Sequence, residues 1–118
     1  MEKIIITATA ESIEQVKELL EAGVDRIYVG EKNYGLRLPH TFSYDELREI
    51  ANLVHEAGKE IVIAVNALMH QEMMDKIKPF LDFLAEIQTD YITVGDAGVF
   101  YVVNRDHYPF KTIYDAST

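Results

Sequence analysis

Residues 43–65, SYDELREIANLVHEAGKEIVIAV, contain the pattern on which the fold depends. Ser43 followed three residues later by Glu46 is typical of a capping box that opens a helix. Apolar residues then recur at helical spacing, and Gly58 is typical of the position just past a helix C-terminus. The following run, EIVIAV, is nearly all apolar, as in a parallel strand covered on both faces. This stretch predicts a helix and then a buried parallel strand.

The same order of patterns recurs along the rest of the chain. Ser12 with Gln15 predicts a second capping box, in a helix that closes at Gly23. The third helix contains Pro79, which we expect in its first turn or at a kink. The residues around Val99 favour either a strand or a short helix, and we predict the helix because Gly98 precedes them and another strand follows. The remaining strands are predicted at residues 3–7, 26–30, 91–94 and 111–114.

Regular alternation of strands and helices predicts an α/β fold with a parallel sheet. Four βα units and a fifth strand fit two architectures, a small doubly wound sheet and the first half of a TIM-barrel-like (β/α)8 fold. Both bind ligands at the carboxyl ends of their strands, so this pattern alone does not separate them. We expect residues 1–118 to be a single half domain that belongs to a longer protein or closes its sheet with a second copy.

A weak internal repeat accompanies this alternation. Residues 24–30, VDRIYVG, resemble residues 89–95, TDYITVG, with an aspartate before each strand and a glycine at its end. Duplication of a two-unit module would produce this likeness. The general similarity of buried parallel strands would produce it equally well.

Composition narrows the function classes. The chain of 118 residues is 48% hydrophobic and 26% charged, which is ordinary for a globular core. It contains no cysteine, which excludes a disulfide, a thiolate nucleophile and a cysteine-ligated iron–sulfur cluster within this chain. The net charge of −9 opposes nonspecific binding to nucleic acid and favours a basic partner or a small molecule. No apolar stretch is long enough to span a bilayer, and no signal peptide is evident, so we expect a cytoplasmic protein without membrane contact.

Polar side chains that could bind or react follow the strands. Arg37, after the second strand, could clamp a carboxylate or phosphate, although a solvated loop arginine is the commoner case. Asn66 and His70 follow the third strand and could orient a substrate or exchange protons, or could only cap the strand and the next helix. Asp96 follows the fourth strand as a general acid or base, or as a helix N-cap. Ser117 follows the fifth strand and has no base partner that the sequence identifies.

Sequence motifs of several enzyme classes are missing. The chain has no Gly-x-Ser-x-Gly elbow, P-loop, dinucleotide fingerprint or His-Glu-x-x-His pair. The remaining histidines at positions 55 and 107 are expected to be structural. We predict that Arg37, Asn66, His70 and Asp96 converge at the carboxyl end of the sheet, because they follow three successive parallel strands.

Five segments taken in order resemble the N-terminal part of the peptidase U32 family. They are YGLR at 34–37, GK at 58–59, VNALMHQE at 65–72, GDAGV at 95–99 and AST at 116–118. The Asn-x-Leu-x-His-x-Glu pattern within the third segment is the most specific. The chain departs from the family at 7–10, where members often carry a Pro-Ala-Gly turn, and at Asp115, where they often carry histidine.

The resemblance implies the half-barrel architecture and two activities. Some family members are collagenase-like or other proteases, which implies a peptidase acting on a peptide substrate. Others hydroxylate RNA bases or the ubiquinone ring with an iron–sulfur cluster, whose cysteines would lie downstream of this chain. A noncatalytic binding or assembly module is the third hypothesis. By the same resemblance, His70 and Asp96 are candidate catalytic residues, and Arg37, Asn66 and Ser117 are candidate substrate-binding residues. This chain itself is expected to hold no cofactor, and RNA would be contacted only through other regions.

Overall fold

The computed structural model describes residues 4–34, 38, 40–65, 71–95 and 97–114, without the side chains of residues 71–76 and 114. Its elements alternate throughout. In chain order they are β1 (Thr7–Thr9), α1 (Ile13–Glu21), β2 (Arg26–Gly30), α2 (Tyr44–Glu56), β3 (Glu60–Val65), α3 (Gln71–Glu86), β4 (Tyr91–Val94), α4 (Ala97–Arg105) and β5 (Lys111–Tyr114). The predicted α/β class and the predicted helix at 99–103 are therefore confirmed.

Strand order separates the two architectures that the sequence left open. The five strands are all parallel and lie in the sheet in their order along the chain, β1-β2-β3-β4-β5. A doubly wound sheet needs a reversal of strand order, which sends helices to both faces. Sequential order with crossovers of one hand keeps the helices on one face, as in a (β/α)8 barrel. The arrangement is that of a half-barrel.

The core lies between the helices and one face of the sheet. Alternate strand residues such as Ile27, Val29, Ile61, Ile63 and Ile92 are fully buried there. They pack against apolar stripes of the helices, which include Leu47, Ile50, Phe80, Leu81, Leu84 and Val102. Burying each large apolar side chain contributes about 1.5–3 kcal/mol to folding. This layer holds the strand ends in place.

The other face of the sheet carries polar and aromatic side chains. Arg26 bonds Glu60 at 3.0 Å and lies 4.3 Å above the Tyr91 ring. The hydrogen bond that Arg26 donates to Glu60 is the main cause of a raised pKa at Arg26. Nearer the strand ends, the Tyr28 and Thr93 hydroxyls are 2.9 Å apart. In a barrel this face lines the interior.

The first strand begins later than the sequence predicts. A strand was expected over 3–7, but β1 spans Thr7–Thr9, and Ile4, Ile5 and Ile6 are exposed. The cause is the position at which β2 begins, because its first residue, Arg26, pairs with Thr7. In the described part of the chain no strand pairs with Ile4 and Ile5, so their β-branched side chains do not extend β1.

The predicted helix caps are present at α1 and α2, but one capping box is incomplete, and a proline of α3 lies further inside its helix than its first turn. Ser43 and Glu46 form the full capping box. Ser12 accepts from the Gln15 amide, but the Gln15 side chain accepts from the amide of Glu11 instead of Ser12, so the box at α1 is incomplete. Pro79 lies in the interior of α3 and not in its first turn.

Within the described ranges no helix is long and apolar enough to cross a bilayer.

Candidate active site at the carboxyl ends of the strands

The candidate site lies at the edge of the sheet where β2, β3 and β4 end. The strands finish at Gly30, Val65 and Val94, and register pairs bring these ends together, with Gly30 beside Ala64 and Val65 beside Val94. Polar groups therefore follow neighbouring strands at one edge. This is the edge at which α/β proteins of both kinds bind ligands.

Five site residues predicted from sequence lie outside the described residues. These are Arg37, Asn66, His70, Asp96 and Ser117. The convergence predicted for the first four of them stays a prediction. The described chain reaches Val65 and Gly95 at this edge, and these residues directly precede Asn66 and Asp96 in sequence.

The loop after β2 is closed at its base. The Phe42 amide donates to the Gly30 carbonyl at 2.9 Å, and Glu31 forms an isolated parallel bridge with Phe42. His40, an exposed residue of this loop, packs edge-on against the Phe42 ring at 4.8 Å. The sequence predicted a long loop here but not this closure, which depends on pairing between residues eleven apart. The closure keeps both ends of the loop at the strand edge.

Glu31 is a site residue that the sequence analysis missed. It directly follows β2, and its residue is 7% exposed. Its Oε1 is 3.3 Å from the Asn33 amide nitrogen, and its Oε2 has no hydrogen-bond donor among the described residues. The sequence offered one signal, the alternation of strand side chains, because residue 31 continues the series of residues 27 and 29, which face the helices. A glutamate at the start of a polar loop is normally solvated, so that signal was easily overlooked.

Two tyrosines that stack on rings of α3 lie near enough to this carboxylate to be affected by its charge. Tyr34 is buried and stacks on Phe80, with ring centroids 4.2 Å apart, and Tyr44 stacks on Phe83 at 4.5 Å. Burial is the main cause of a raised pKa at both tyrosines, and the negative charge of Glu31 raises each pKa further. Both phenols therefore stay neutral at physiological pH.

The two histidines expected to be structural lie away from this edge. The Nε2 atom of His55 is 2.8 Å from Asp90, whose Oδ2 also accepts from the Ile61 amide. Asp90 precedes β4, so this cluster sits at the amino ends of the strands. His107 follows α4 with a positive φ of 56°. Neither belongs to the candidate site.

The described residues do not fit a metal or iron–sulfur centre. No group of three or more histidine, aspartate or glutamate side chains in the described ranges could hold a metal ion, and the chain has no cysteine. A cluster ligated by cysteine therefore cannot be built from this chain.

Comparison with known proteins gives the family. The sequence profile of Peptidase family U32 matches residues 11–118. The chain belongs to peptidase family U32. The U32 fold is supported by the solved structure of the U32 peptidase Mk0906, which superposes with a TM-score of 0.78 at 16% identity, over 99% of this chain and 51% of that chain.

Three relatives of this U32 chain have names that refer to different activities. It is 30% identical to tRNA hydroxylation protein P2 of Bacillus subtilis (strain 168), over 100% of this chain and 38% of that protein. It is 24% identical to the uncharacterized protease MJ0090 of Methanocaldococcus jannaschii, over 89% of this chain and 26% of that protein. It is 23% identical to the 23S rRNA 5-hydroxycytidine C2501 synthase of Escherichia coli (strain K12), over 70% of this chain and 13% of that protein. The chain thus spans well under half the length of each.

Proposed function

We propose that this chain forms the first half of the substrate-binding barrel of an RNA-hydroxylating enzyme, with tRNA as the substrate class. The observation that carries the proposal is 30% identity to a tRNA hydroxylation protein over all 118 residues. Similarity to a synthase of 5-hydroxycytidine in rRNA supports the same chemistry on a pyrimidine base. The strands that complete the barrel would come from elsewhere in the polypeptide or from a second copy.

The groups at the strand ends suit a flat, polar base. Proteins recognise unpaired RNA bases by stacking on aromatic rings and by hydrogen bonds to base edges. The hydroxyls of Tyr28 and Thr93, on the face that would line a barrel interior, can both donate and accept. The predicted residues Arg37, Asn66, His70 and Asp96 would add donors and proton carriers.

The charge of the chain limits what it does in RNA binding. With 20 acidic and 11 basic residues, the chain has few cationic side chains with which to bind the phosphate backbone of RNA. We therefore assign to this chain the recognition of the reacting base, and to other parts of the enzyme the backbone contacts. The iron–sulfur cluster implied by the family resemblance would also be ligated outside this chain.

A peptidase is the second candidate, supported by the similarity to protease MJ0090. The geometry favours it less. Ser12 and Ser43, the serines that the structure describes, both serve as helix N-caps. In the described ranges no hydroxyl is hydrogen-bonded to a histidine, so no activated nucleophile is formed there.

Mass spectrometry of tRNA nucleosides tests the proposal. Deleting the gene that encodes the chain should remove a nucleoside one oxygen atom heavier than its parent, and a plasmid copy should restore it. Purified full-length protein is assayed in parallel for cleavage of gelatin and casein. An unchanged nucleoside profile together with peptide cleavage would replace the proposal by the peptidase alternative.

A further inference from the structure

The side chain of Tyr28 lies across the neighbouring strand. Its hydroxyl is 2.9 Å from the Thr93 hydroxyl, although Tyr28 belongs to β2 and Thr93 to β4, with β3 between them. Neighbouring strands lie about 4.8 Å apart, so the backbones at these two residues are separated by two such spacings. A tyrosine that stood upright on the sheet would not reach so far. The Tyr28 ring therefore leans over β3.

The burial of β3 agrees with this position of the ring. Val62 and Ala64 lie on the sheet face turned away from the helices, because they alternate with Ile61 and Ile63 of the core. Both are nevertheless buried, Val62 at 2% exposure and Ala64 at 0%. The Tyr28 ring is placed to cover them, with one of its two faces on β3.

The rest of the Tyr28 ring is accessible from the face that would line a barrel. Tyr28 is half-buried, so a ring that rests on β3 exposes its remaining surface on the side of the barrel interior. Register pairs place Tyr28 level with Val62 and Tyr91, and Thr93 is two residues nearer to the carboxyl ends of the strands. The ring thus leans toward the edge where the candidate site lies.

A second tyrosine on the same face gives a useful contrast. The Tyr91 ring is stacked within the protein, with the guanidinium of Arg26 4.3 Å from its centroid and the Lys111 ammonium 6.0 Å from it. The contact found for Tyr28 is made at the edge of its ring, through the hydroxyl. Branched aliphatic residues dominate the interior of most (β/α)8 barrels, so an aromatic ring tethered by a hydroxyl there calls for a specific use.

We propose that the Tyr28 ring is a stacking platform for the reacting pyrimidine base, oriented by its hydrogen bond to Thr93. Proteins bind unpaired bases by stacking them on aromatic side chains, and a ring that is already oriented loses less conformational entropy on binding. This inference rests on the proposed function for the identity of the ligand. Tyr28 is then a substrate-binding residue, and Thr93 is a positioning residue that acts through it.

Two nucleosides that differ in the planarity of the base test the platform. Calorimetric titration of the full-length protein compares uridine with 5,6-dihydrouridine, which keeps the same donors and acceptors on a puckered, saturated ring. Uridine should bind about tenfold more tightly, because only the flat base stacks fully on Tyr28.

Substitutions at Tyr28 and Thr93 separate the ring from its tether. Tyr28→Leu removes the ring and should abolish the preference for uridine, whereas Tyr28→Phe keeps the ring and should retain most of it. Thr93→Val should bind uridine as Tyr28→Phe does, and combining the two should add nothing, because both remove the same hydrogen bond. Tyr101→Leu is the matched control, since Tyr101 lies on α4 with 61% of its surface exposed.

Fluorine NMR of the wild-type protein tests the platform without depending on the fold of the Leu variant. The full-length protein is labelled with 3-fluorotyrosine, and the Tyr28 signal is identified by its absence from Tyr28→Phe. Saturating uridine should shift this signal, because a stacked base changes the magnetic environment of the ring, and should leave the Tyr101 signal in place. A Tyr28 signal that uridine does not move overturns the platform.

The outcomes are distinct from those of the proposed function. Wild-type protein without a preference for uridine overturns the role of Tyr28, whether or not tRNA is hydroxylated. A lowered Tm in Tyr28→Leu together with an unchanged preference overturns it as well, because the ring then serves only packing. A preference that depends on Tyr28, in a protein whose gene deletion leaves tRNA nucleosides unchanged, supports the platform and overturns the hydroxylation.

Discussion

At the scale of single residues, two aspartates have the same structural role in the two halves of the sheet. Asp25 precedes β2 and its Oδ2 accepts from the Ile6 amide at 3.0 Å, while Asp90 precedes β4 and accepts from the Ile61 amide at 2.8 Å. Each also has a basic partner near the end of α2, Lys59 at 3.7 Å from Asp25 and His55 at 2.8 Å from Asp90. The repeated VD and TD dipeptides therefore have a common physical use, which is to bind an amide at the start of the preceding strand.

Removing the Asp90 carboxylate should destabilise the sheet. Asp90→Ala leaves the Ile61 amide without its acceptor and His55 without its partner, so the free energy of unfolding should fall by about 1–3 kcal/mol. Urea denaturation followed by circular dichroism measures the loss. Asp90→Asn, which keeps an acceptor, should lose less.

Asp106→Ala is the matched control for this prediction. Its carboxylate pairs with the adjacent, exposed Arg105, and ion pairs of this kind contribute little. Equal midpoints for Asp90→Ala and Asp106→Ala would contradict the role given to Asp90.

At the scale of elements, the helix and strand patterns were largely predictable because their causes are local. The bounds of β2, β3, β4 and β5 agree with the predictions, and Gly23 and Gly58 adopt the positive φ expected just past α1 and α2. The start of β1 was not predictable, because it is set by where β2 offers a partner. Strand order was not predictable either, since it depends on pairing between distant residues. The burial of Glu31 was not predictable, because a glutamate at the start of a polar loop is normally solvated.

Pro79 should limit the stability of α3. It lies at an exposed position inside the helix, where it lacks the amide that would bond the carbonyl one turn earlier. Pro79→Ala should therefore raise the free energy of unfolding by about 1–3 kcal/mol, because no buried contact is lost. Thermal unfolding of the variant and of Lys78→Ala, a neighbouring exposed control, measures the effect. A lower Tm for Pro79→Ala than for the control would mean that the proline shapes the packing of α3.

At the scale of the whole molecule, Tyr108 joins α3 to the connection between α4 and β5. Its hydroxyl donates to Asp82 at 2.6 Å, and its ring stacks on Phe110 at 5.4 Å. Burial, and then the bond to Asp82, raise the pKa of Tyr108 well above its usual value. The folded state thus holds this proton more tightly than the unfolded state does.

Stability should consequently fall at alkaline pH. The contribution of Tyr108 is fully present below about pH 10, where the unfolded phenol is still protonated, and is lost as pH rises beyond it. Tyr34 and Tyr44 act in the same direction. Urea midpoints at pH 8 and pH 10.5 should show a drop for wild type and a smaller one for Tyr108→Phe. A drop of equal size in both would assign the alkaline sensitivity to other groups.

The hydrogen bond between Phe42 and Gly30 has a consequence for how such proteins diversify. This hydrogen bond closes the base of the loop between Gly30 and Phe42. A change in the length of the loop therefore need not alter the pairing of the strands. Doubling the number of residues in a flexible loop costs only about 0.6 kcal/mol in closure entropy. Insertions beyond Tyr34, which is itself buried in the core, are therefore expected to leave the pairing of the strands unchanged.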